Sequence, residues 1–217
     1  VAEKLSLNIE NAKVSIQGFG NVGSEAANLF YLSNAKIVCI QDHTGTIFNA
    51  SGIELNALHA YIEQHQGVAG FEGAERIDNE AFWDVETDII IPAALEGQIT
   101  VERAHRLKAK MVLEGANGPT YPEADDILNE RGIMIVPDVI CNAGGVTVSY
   151  FEWVQDMASY FWSEAEINDR LDKLMVQAVE DVWACAHDNG CTLRTAAYIF
   201  ACERILKARK ERGIFPG

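Results

Sequence analysis

Short apolar runs alternate with amphipathic segments along the first two thirds of the chain. The runs predict strands at 14–16, 35–40, 46–48, 88–91, 110–114 and 133–136. The amphipathic segments predict helices at 21–32, 53–64, 100–107 and 122–131. Strands that alternate with helices favour right-handed βαβ units and a parallel sheet, and continuous apolar strands favour a sheet that is covered on both faces. The stretch 66–80 is Gly-rich and acidic, which predicts a loop.

After Gly145 the strand pattern stops and two long helical segments follow. Ser163 and Glu166 have the spacing of a capping box, which predicts the start of the first helix, and Gly190 predicts its end. The second helix is predicted over 192–212. We therefore expect an α/β fold, with a Rossmann-type, doubly wound, mostly parallel sheet and two long C-terminal helices.

Composition excludes several classes of partner. The 217 residues carry a formal net charge of −15, which argues against nonspecific binding to nucleic acid or to an anionic membrane. No apolar run approaches the roughly 20 residues of a membrane span. The five cysteines lack the spacing of zinc ligands and predict reduced, mostly buried thiols in a cytoplasmic protein. No histidine pair suggests a metal site.

A glycine-rich turn between the first strand and the first helix carries the clearest functional signal. Gly18, Gly20 and Gly23 form a G-x-G-x-x-G pattern. In such turns the first glycine allows the tight bend, the second lets the backbone approach a pyrophosphate, and the third lets the helix pack against the sheet. Asp42 follows the next strand, 19 residues after Gly23, at the distance expected of a ribose-binding acid. The pattern predicts a dinucleotide-binding site.

Asp42 also bears on the choice of cofactor. A carboxylate accepts hydrogen bonds from ribose hydroxyls but repels a 2′-phosphate, and NADP sites usually supply cations. Between Lys36 and Arg76 the chain has no lysine or arginine, although a cation could fold in from elsewhere. The sequence therefore favours NAD over NADP.

Five motifs follow one another over nearly the whole chain, at 17–24, 92–94, 114–120, 137–138 and 142–153. In order and spacing they resemble those of glutamate dehydrogenases. The resemblance is to the carboxy-terminal, nucleotide-binding half of that enzyme. Related leucine, phenylalanine and valine dehydrogenases share the Asn-Ala-Gly-Gly element at 142–145, but the continuation at 148–153 fits the glutamate branch better. On this basis residues 1–11 are the end of a preceding helix or a linker, 12–150 a dinucleotide-binding domain, and 151–217 a helical segment that packs on it.

The resemblance implies roles for individual residues. Together with the glycine turn and Asp42, the implied cofactor-binding set is Gly18, Gly20, Asn21, Val22, Gly23, Asp42, Ala93, Ala94, Asn117 and Asn142. Ala93 and Ala94 would lie under the adenosine, whereas Asn117 and Asn142 would orient the nicotinamide and its ribose. Ser149 would bind the side-chain carboxylate of the substrate. Each has a plainer alternative, because asparagine is common in Gly-rich turns and a serine in an apolar run can be a helix-buried hydroxyl.

The chain also departs from the family pattern. The Lys-Gly-Gly segments that carry the catalytic lysines of glutamate dehydrogenases are absent, so no catalytic residue is expected in these 217 residues. The first hypothesis is the cofactor domain of an NAD-dependent glutamate dehydrogenase, which interconverts L-glutamate with 2-oxoglutarate and ammonia and in this family forms homohexamers. This chain alone would then be inactive. The second hypothesis is a stand-alone dinucleotide-binding sensor or regulatory module without catalysis.

Overall fold

The computed structural model describes residues 1–213, which cluster into two compact units. The first unit comprises residues 1–138, and the second begins at residue 139. The sequence analysis placed its division at residue 150, which lies inside a helix of the second unit. Within residues 1–213, no helix combines the length and the apolar character needed to cross a membrane.

The first unit contains a seven-stranded sheet and four helices. The strands are β1 (Lys13–Gln17), β2 (Lys36–Asp42), β3 (Gly45–Phe48), β4 (Glu75–Ile77), β5 (Ile89–Pro92), β6 (Met111–Leu113) and β7 (Met134–Val136). The helices are α1 (Asn21–Leu32), α2 (Leu55–His65), α3 (Val101–Arg106) and α4 (Pro122–Glu130), and short 3₁₀ turns occur at Glu3–Leu5 and Glu80–Asp84. Residues 1–11 thus hold only one 3₁₀ turn of regular structure.

The strand order, β4-β3-β2-β1-β5-β6-β7, makes β1 the point at which the chain changes direction across the sheet. β1 pairs in parallel with both β2 and β5, and β6 and β7 continue the parallel arrangement. β3 and β4 are antiparallel additions at one edge. This confirms the doubly wound, mostly parallel sheet. In such sheets ligands bind outside the carboxyl ends of the strands at the switch point, here between β1 and β5.

The core of this unit follows from the apolar strand runs. In β1 and β2 the first residue is exposed and the following four or five are buried, as expected for strands covered on both faces. Phe82 and Trp83 are part of this core and pack edge to face on each other, with ring centroids 5.0 Å apart. The loop predicted at 66–80 is wrong in part, because β4 pairs with β3 there. Its sequence, Glu-Arg-Ile, has too few apolar positions to show a period.

The second unit is helical. It contains α6 (Ala143–Ala158), α7 (Glu164–Asn189) and α8 (Leu193–Arg212), and a four-residue helix α5 (Asp138–Cys141) spans the division. The capping box at Ser163 and Glu166 is confirmed, and Gly190 ends α7 in a left-handed conformation. The apolar faces predicted for α7 and α8 are only partly covered. Leu174 is 52% exposed and Ile205 is 67% exposed.

The cysteines differ from the prediction in their burial. All five are free thiols, but only Cys39 is buried, so the expectation of mostly buried thiols is wrong. Cys39 lies in β2, an inner strand of the sheet, and burial raises the pKa of its thiol to about 12. A thiol with that pKa is not a nucleophile at neutral pH.

Candidate functional site

The turn between β1 and α1 is held by close packing at two of its glycines. Gly18 has φ of +89° and donates its N–H to the carbonyl oxygen of Gln41 at 2.7 Å. A Cβ on Gly18 would stand 2.7 Å from the carbonyl oxygen of Ala93, and a Cβ on Gly23 would overlap the carbonyl oxygen of Gly18. The two positions therefore admit only glycine.

Gly20, the middle glycine of the turn, borders open space instead of packed backbone. A Cβ on Gly20 would meet no atom within 4 Å, and its φ of −83° is open to any residue. Gly20 is the N-cap of α1, and no side chain caps that helix. The first N–H groups of the helix, including those of Asn21 and Val22, therefore lack an intrahelical acceptor and lie at the positive end of the helix dipole. Such an uncapped N-terminus, with open space before it, suits a phosphate.

A cavity of about 590 Å³ opens beside this turn at the carboxyl ends of β1, β2 and β5. Its lining residues are Gln17, Gly18, Phe19, Gly20, Gln41, Asp42, His43, Ile62, Gln66, Gly67, Ala93, Ala94, Leu95 and Gln98. The structure thus brings together five predicted site residues from three separate segments, Gly18, Gly20, Asp42, Ala93 and Ala94. The lining contains no lysine or arginine within the described residues, so hydrogen bonds and the helix N-terminus are what it offers an anion.

Asp42 has a structural role that sequence reasoning missed. Its Oδ1 accepts hydrogen bonds from Thr44 N–H at 2.7 Å, Thr44 hydroxyl at 2.5 Å and Gly45 N–H at 3.2 Å. Its Oδ2 accepts from Val68 N–H at 3.0 Å, so the carboxylate ties the β2–β3 turn to the loop after α2. The side chain is 10% exposed. Because a carboxylate has about four acceptor sites, Oδ2 keeps capacity for a ribose hydroxyl.

A row of buried amides forms one side of the cavity, and it too escaped the sequence analysis. Gln17 Nε2 donates to Gln41 Oε1 at 3.1 Å and to Gln98 Oε1 at 2.7 Å. Gln41 Nε2 in turn donates to the Thr46 hydroxyl at 2.7 Å and to the carbonyl oxygen of Asn79 at 2.8 Å. These bonds join β1, β2 and β3 to the loop after β5. The only sequence signal is a glutamine at the end of each of two apolar strands.

Asn117 lies in a turn that is fixed by backbone hydrogen bonds. Gly118 N–H donates to Asp138 Oδ2 at 2.8 Å, and Asp138 N–H donates to the buried carboxylate of Glu114 at 2.8 Å. Gly97 N–H donates to the carbonyl oxygen of Gly118 at 2.8 Å, which links this turn to the loop that carries Ala93 and Ala94. Asn117 itself is exposed and is not part of the cavity lining.

The two remaining predicted residues belong to the second unit. Asn142 is the N-cap residue of α6 and is half-buried. Ser149 is exposed on α6, where its hydroxyl donates to the carbonyl oxygen of Gly145 at 3.2 Å. Ser149 is therefore not the buried helix hydroxyl that the plainer alternative suggested.

Comparison with known proteins points to one family. The family model for glutamate/leucine/phenylalanine/valine dehydrogenases matches residues 1–213. The glutamate dehydrogenase of Thermotoga maritima is 47% identical over 213 residues, which cover 98% of this chain and 51% of that protein. The NAD-specific glutamate dehydrogenase of Clostridioides difficile is 43% identical, covering 98% of this chain and 52% of that protein.

The NADP-specific glutamate dehydrogenase A1 of Halobacterium salinarum is 42% identical, covering 100% of this chain and 52% of that protein. Among solved structures, the hetero-hexameric glutamate dehydrogenase of Thermus thermophilus superposes with a TM-score of 0.92 at 29% identity, over 99% of this chain and 51% of that one. The chain thus spans about half the length of the curated relatives it matches. The similarity confirms the Rossmann-type fold.

Proposed function

The chain belongs to the glutamate/leucine/phenylalanine/valine dehydrogenase family, and from that premise we propose that it is the cofactor-binding half of an NAD-dependent glutamate dehydrogenase. The observation that carries the proposal is the cavity at the sheet's switch point, which opens beside the uncapped N-terminus of α1. The curated relatives named above are glutamate dehydrogenases, which favours this function over the stand-alone sensor.

The residues of the cavity fit a dinucleotide. The open space at Gly20 leaves room for a pyrophosphate against the N–H groups of α1, where a side chain would intrude. Asp42, Ala93 and Ala94 line the cavity, and we propose that Asp42 accepts hydrogen bonds from the adenosine ribose while the two alanines form a small apolar wall beside it. We assign the nicotinamide end to Asn117 and Asn142, as the family resemblance implies.

A bound nicotinamide supplies hydride transfer to and from the α-carbon of the amino acid. This chain's part is to hold and orient the cofactor, and Ser149 offers a hydroxyl for the substrate side-chain carboxylate. The substrates of the whole enzyme are L-glutamate and, in reverse, 2-oxoglutarate with ammonium. The T. thermophilus relative is hexameric, and we propose a homohexamer in the cytoplasm for the whole enzyme of this chain.

These 217 residues alone are expected to show no glutamate oxidation at saturating NAD. Among the described residues the cavity lining has no lysine or arginine to bind the two carboxylates of the substrate, and the chain carries a net charge of −15. A missing acid or base typically costs about 10² to 10⁴ in rate. NADH absorbance with glutamate, and the reverse assay with 2-oxoglutarate and ammonium, measures this. Turnover by the purified chain would contradict the assignment of chemistry to residues outside it.

Calorimetric titration with NADH tests the function directly. Saturable binding with one site per chain is expected, tighter than the binding of NADPH, because Asp42 faces the ribose end of the cavity. Failure of both cofactors to bind would refute the proposed function. Relatives specific for NAD and for NADP are about equally similar to this chain, so the preference is argued from the site and not from identity.

A further inference from the structure

Gln17, the last residue of β1, carries an unpartnered polar atom in the wall of the cavity. The residue lines the cavity and is 5% exposed. Its Nε2 donates two hydrogen bonds, but its Oε1 is buried and has no hydrogen-bond partner within residues 1–213. A buried acceptor without a donor costs free energy. The oxygen therefore gains nothing for the fold, and the use of the side chain lies in its two N–H donors.

Two backbone carbonyls set the orientation of the amides around Gln17. Gln41 Nε2 donates to the carbonyl oxygen of Asn79 at 2.8 Å. Gln98 Nε2 donates to the carbonyl oxygen of Glu96 at 3.2 Å. Because a carbonyl oxygen can only accept, both glutamines must turn their Oε1 toward Gln17. Gln17 then has to present its NH₂ group to both, which leaves its own oxygen without a donor.

Gln17 also holds both ends of the loop that follows β5. Its carbonyl oxygen accepts from the N–H of Ala93 at 2.7 Å, and its Nε2 donates to Gln98 Oε1 at 2.7 Å. Ala93, Ala94, Leu95 and Gln98 all line the cavity. Between the two ends Leu95 is 68% exposed, so side-chain packing contributes little to the position of this wall.

The second N–H donor of Gln17 ties this loop to β2. Gln41 is the register partner of Gln17 and immediately precedes Asp42. One NH₂ group thus joins the strand that ends in Asp42 to the loop that carries Ala93 and Ala94. These are the two walls between which we place the adenosine.

We infer that Gln17 is a positioning residue for the adenosine half of the dinucleotide, an inference that rests on the proposed function. Its NH₂ group fixes the distance between Asp42 and the wall formed by Ala93 and Ala94. The cofactor then enters a cleft that is already ordered, which lowers the conformational cost of binding. Because its free oxygen is buried, Gln17 acts through Gln98 and the loop and not as a ligand.

The test measures the dissociation constant of NADH by calorimetry for the natural sequence, Gln17→Met and Gln155→Met. Methionine keeps the unbranched shape of glutamine but has no N–H donor. Gln155 is the matched control, because it is 6% exposed and makes two hydrogen bonds, yet it belongs to the helical unit and does not line the cavity.

Gln17→Met should weaken NADH and 5′-AMP by the same factor, about 5- to 10-fold, as expected for the loss of one or two hydrogen bonds. Gln155→Met should lower the urea midpoint of unfolding but leave both affinities unchanged. A side chain that served the fold alone would behave like Gln155 in this comparison.

A double-mutant cycle shows whether Gln17 acts through Gln98. Gln98→Met alone should weaken NADH by a factor similar to that of Gln17→Met. Adding Gln17→Met to the Gln98→Met chain should then weaken NADH by less than about a further twofold. If Gln17→Met fails to fold, Gln98→Met decides the question, because it removes the same bond from the less buried partner.

Hydrogen exchange measures the order of the loop independently. In the free chain, the amides of residues 93–98 should exchange faster in Gln17→Met than in the natural sequence, and Gln155→Met should leave them unchanged. Unchanged exchange there, unchanged NADH affinity in Gln17→Met or Gln98→Met, or full additivity of the two changes would overturn the inference and leave the proposed function standing. Failure of the natural sequence to bind NADH would overturn both.

Discussion

Replacing Gly20 with valine should separate cofactor binding from folding. A Cβ at this position meets no atom within 4 Å, and the φ of −83° imposes no strain on a larger residue. The cost to the fold is the loss of a good N-cap residue, which is worth at most about 1 kcal/mol. The branched side chain would, however, cover the N–H groups at the start of α1, where we place the pyrophosphate.

In Gly20→Val, the loss of NADH binding free energy should be severalfold larger than the loss of unfolding free energy. Blocking access to several backbone N–H donors is expected to weaken NADH binding at least about 100-fold, which corresponds to roughly 2.8 kcal/mol. Gly20→Ala should bind NADH more weakly than the natural sequence but more tightly than Gly20→Val. Gly23→Val is the contrasting variant, because a Cβ at Gly23 would overlap the Gly18 carbonyl oxygen and should prevent the turn from forming.

The assay pairs NADH titration by calorimetry with urea unfolding of the same samples. The expected pattern is a folded Gly20→Val chain that no longer binds NADH, beside a Gly23→Val chain that is unfolded or strongly destabilised. A Gly20→Val chain that binds NADH as tightly as the natural sequence would show that the glycine turn is not the phosphate site.

Three further predictions concern stability and reactivity. Asp42→Ala should lower the free energy of unfolding by about 2–4 kcal/mol in urea titrations, because it orphans the N–H donors of Gly45 and Val68, which are both buried. Burial raises the pKa of Asp88, but its hydrogen bonds to Lys110 and to a backbone N–H outweigh that effect and hold the pKa below the usual range of an aspartate. Asp88→Asn should therefore cost about 1 kcal/mol at neutral pH, a difference that fades as the pH falls below the ordinary aspartate pKa of about 3.9, and an unchanged difference would contradict the ion pair. Cys39 should react with a thiol reagent at pH 8 only after unfolding, because burial raises its pKa to about 12, and rapid labelling in the native protein would contradict its burial.

Where the sequence pattern was long, it predicted the structure well. Helix α1 was predicted over residues 21–32 and has those bounds. Helix α3 was predicted over 100–107 and is shorter by one residue at each end. The three-residue strand β4 was missed because its sequence, Glu-Arg-Ile, contains only one apolar residue, whereas β6 and β7, which are equally short, were predicted from their apolar runs.

Burial in the helical unit was harder to predict. Leu174 and Ile205 continue the apolar stripes of α7 and α8 but are exposed. Helical periodicity identifies the apolar face of a helix, but it does not determine which element packs against that face. The residues that line the cavity divide in the same way. Gly18, Gly20 and Asp42 were predicted from their spacing, whereas Gln98 was not, because no local pattern marks it.

The sequence by itself determined the alternation of strands and helices, the glycine turn between β1 and α1 and the capping box, because each depends on residues within a few positions of one another. Only the tertiary structure decided what lies around Asp42. Its bond to Val68 joins residues 26 apart, and the bond from Gln17 to Gln98 joins residues 81 apart. Such contacts depend on strand order and register, which are set by how the whole sheet buries its faces and not by any local run of residues.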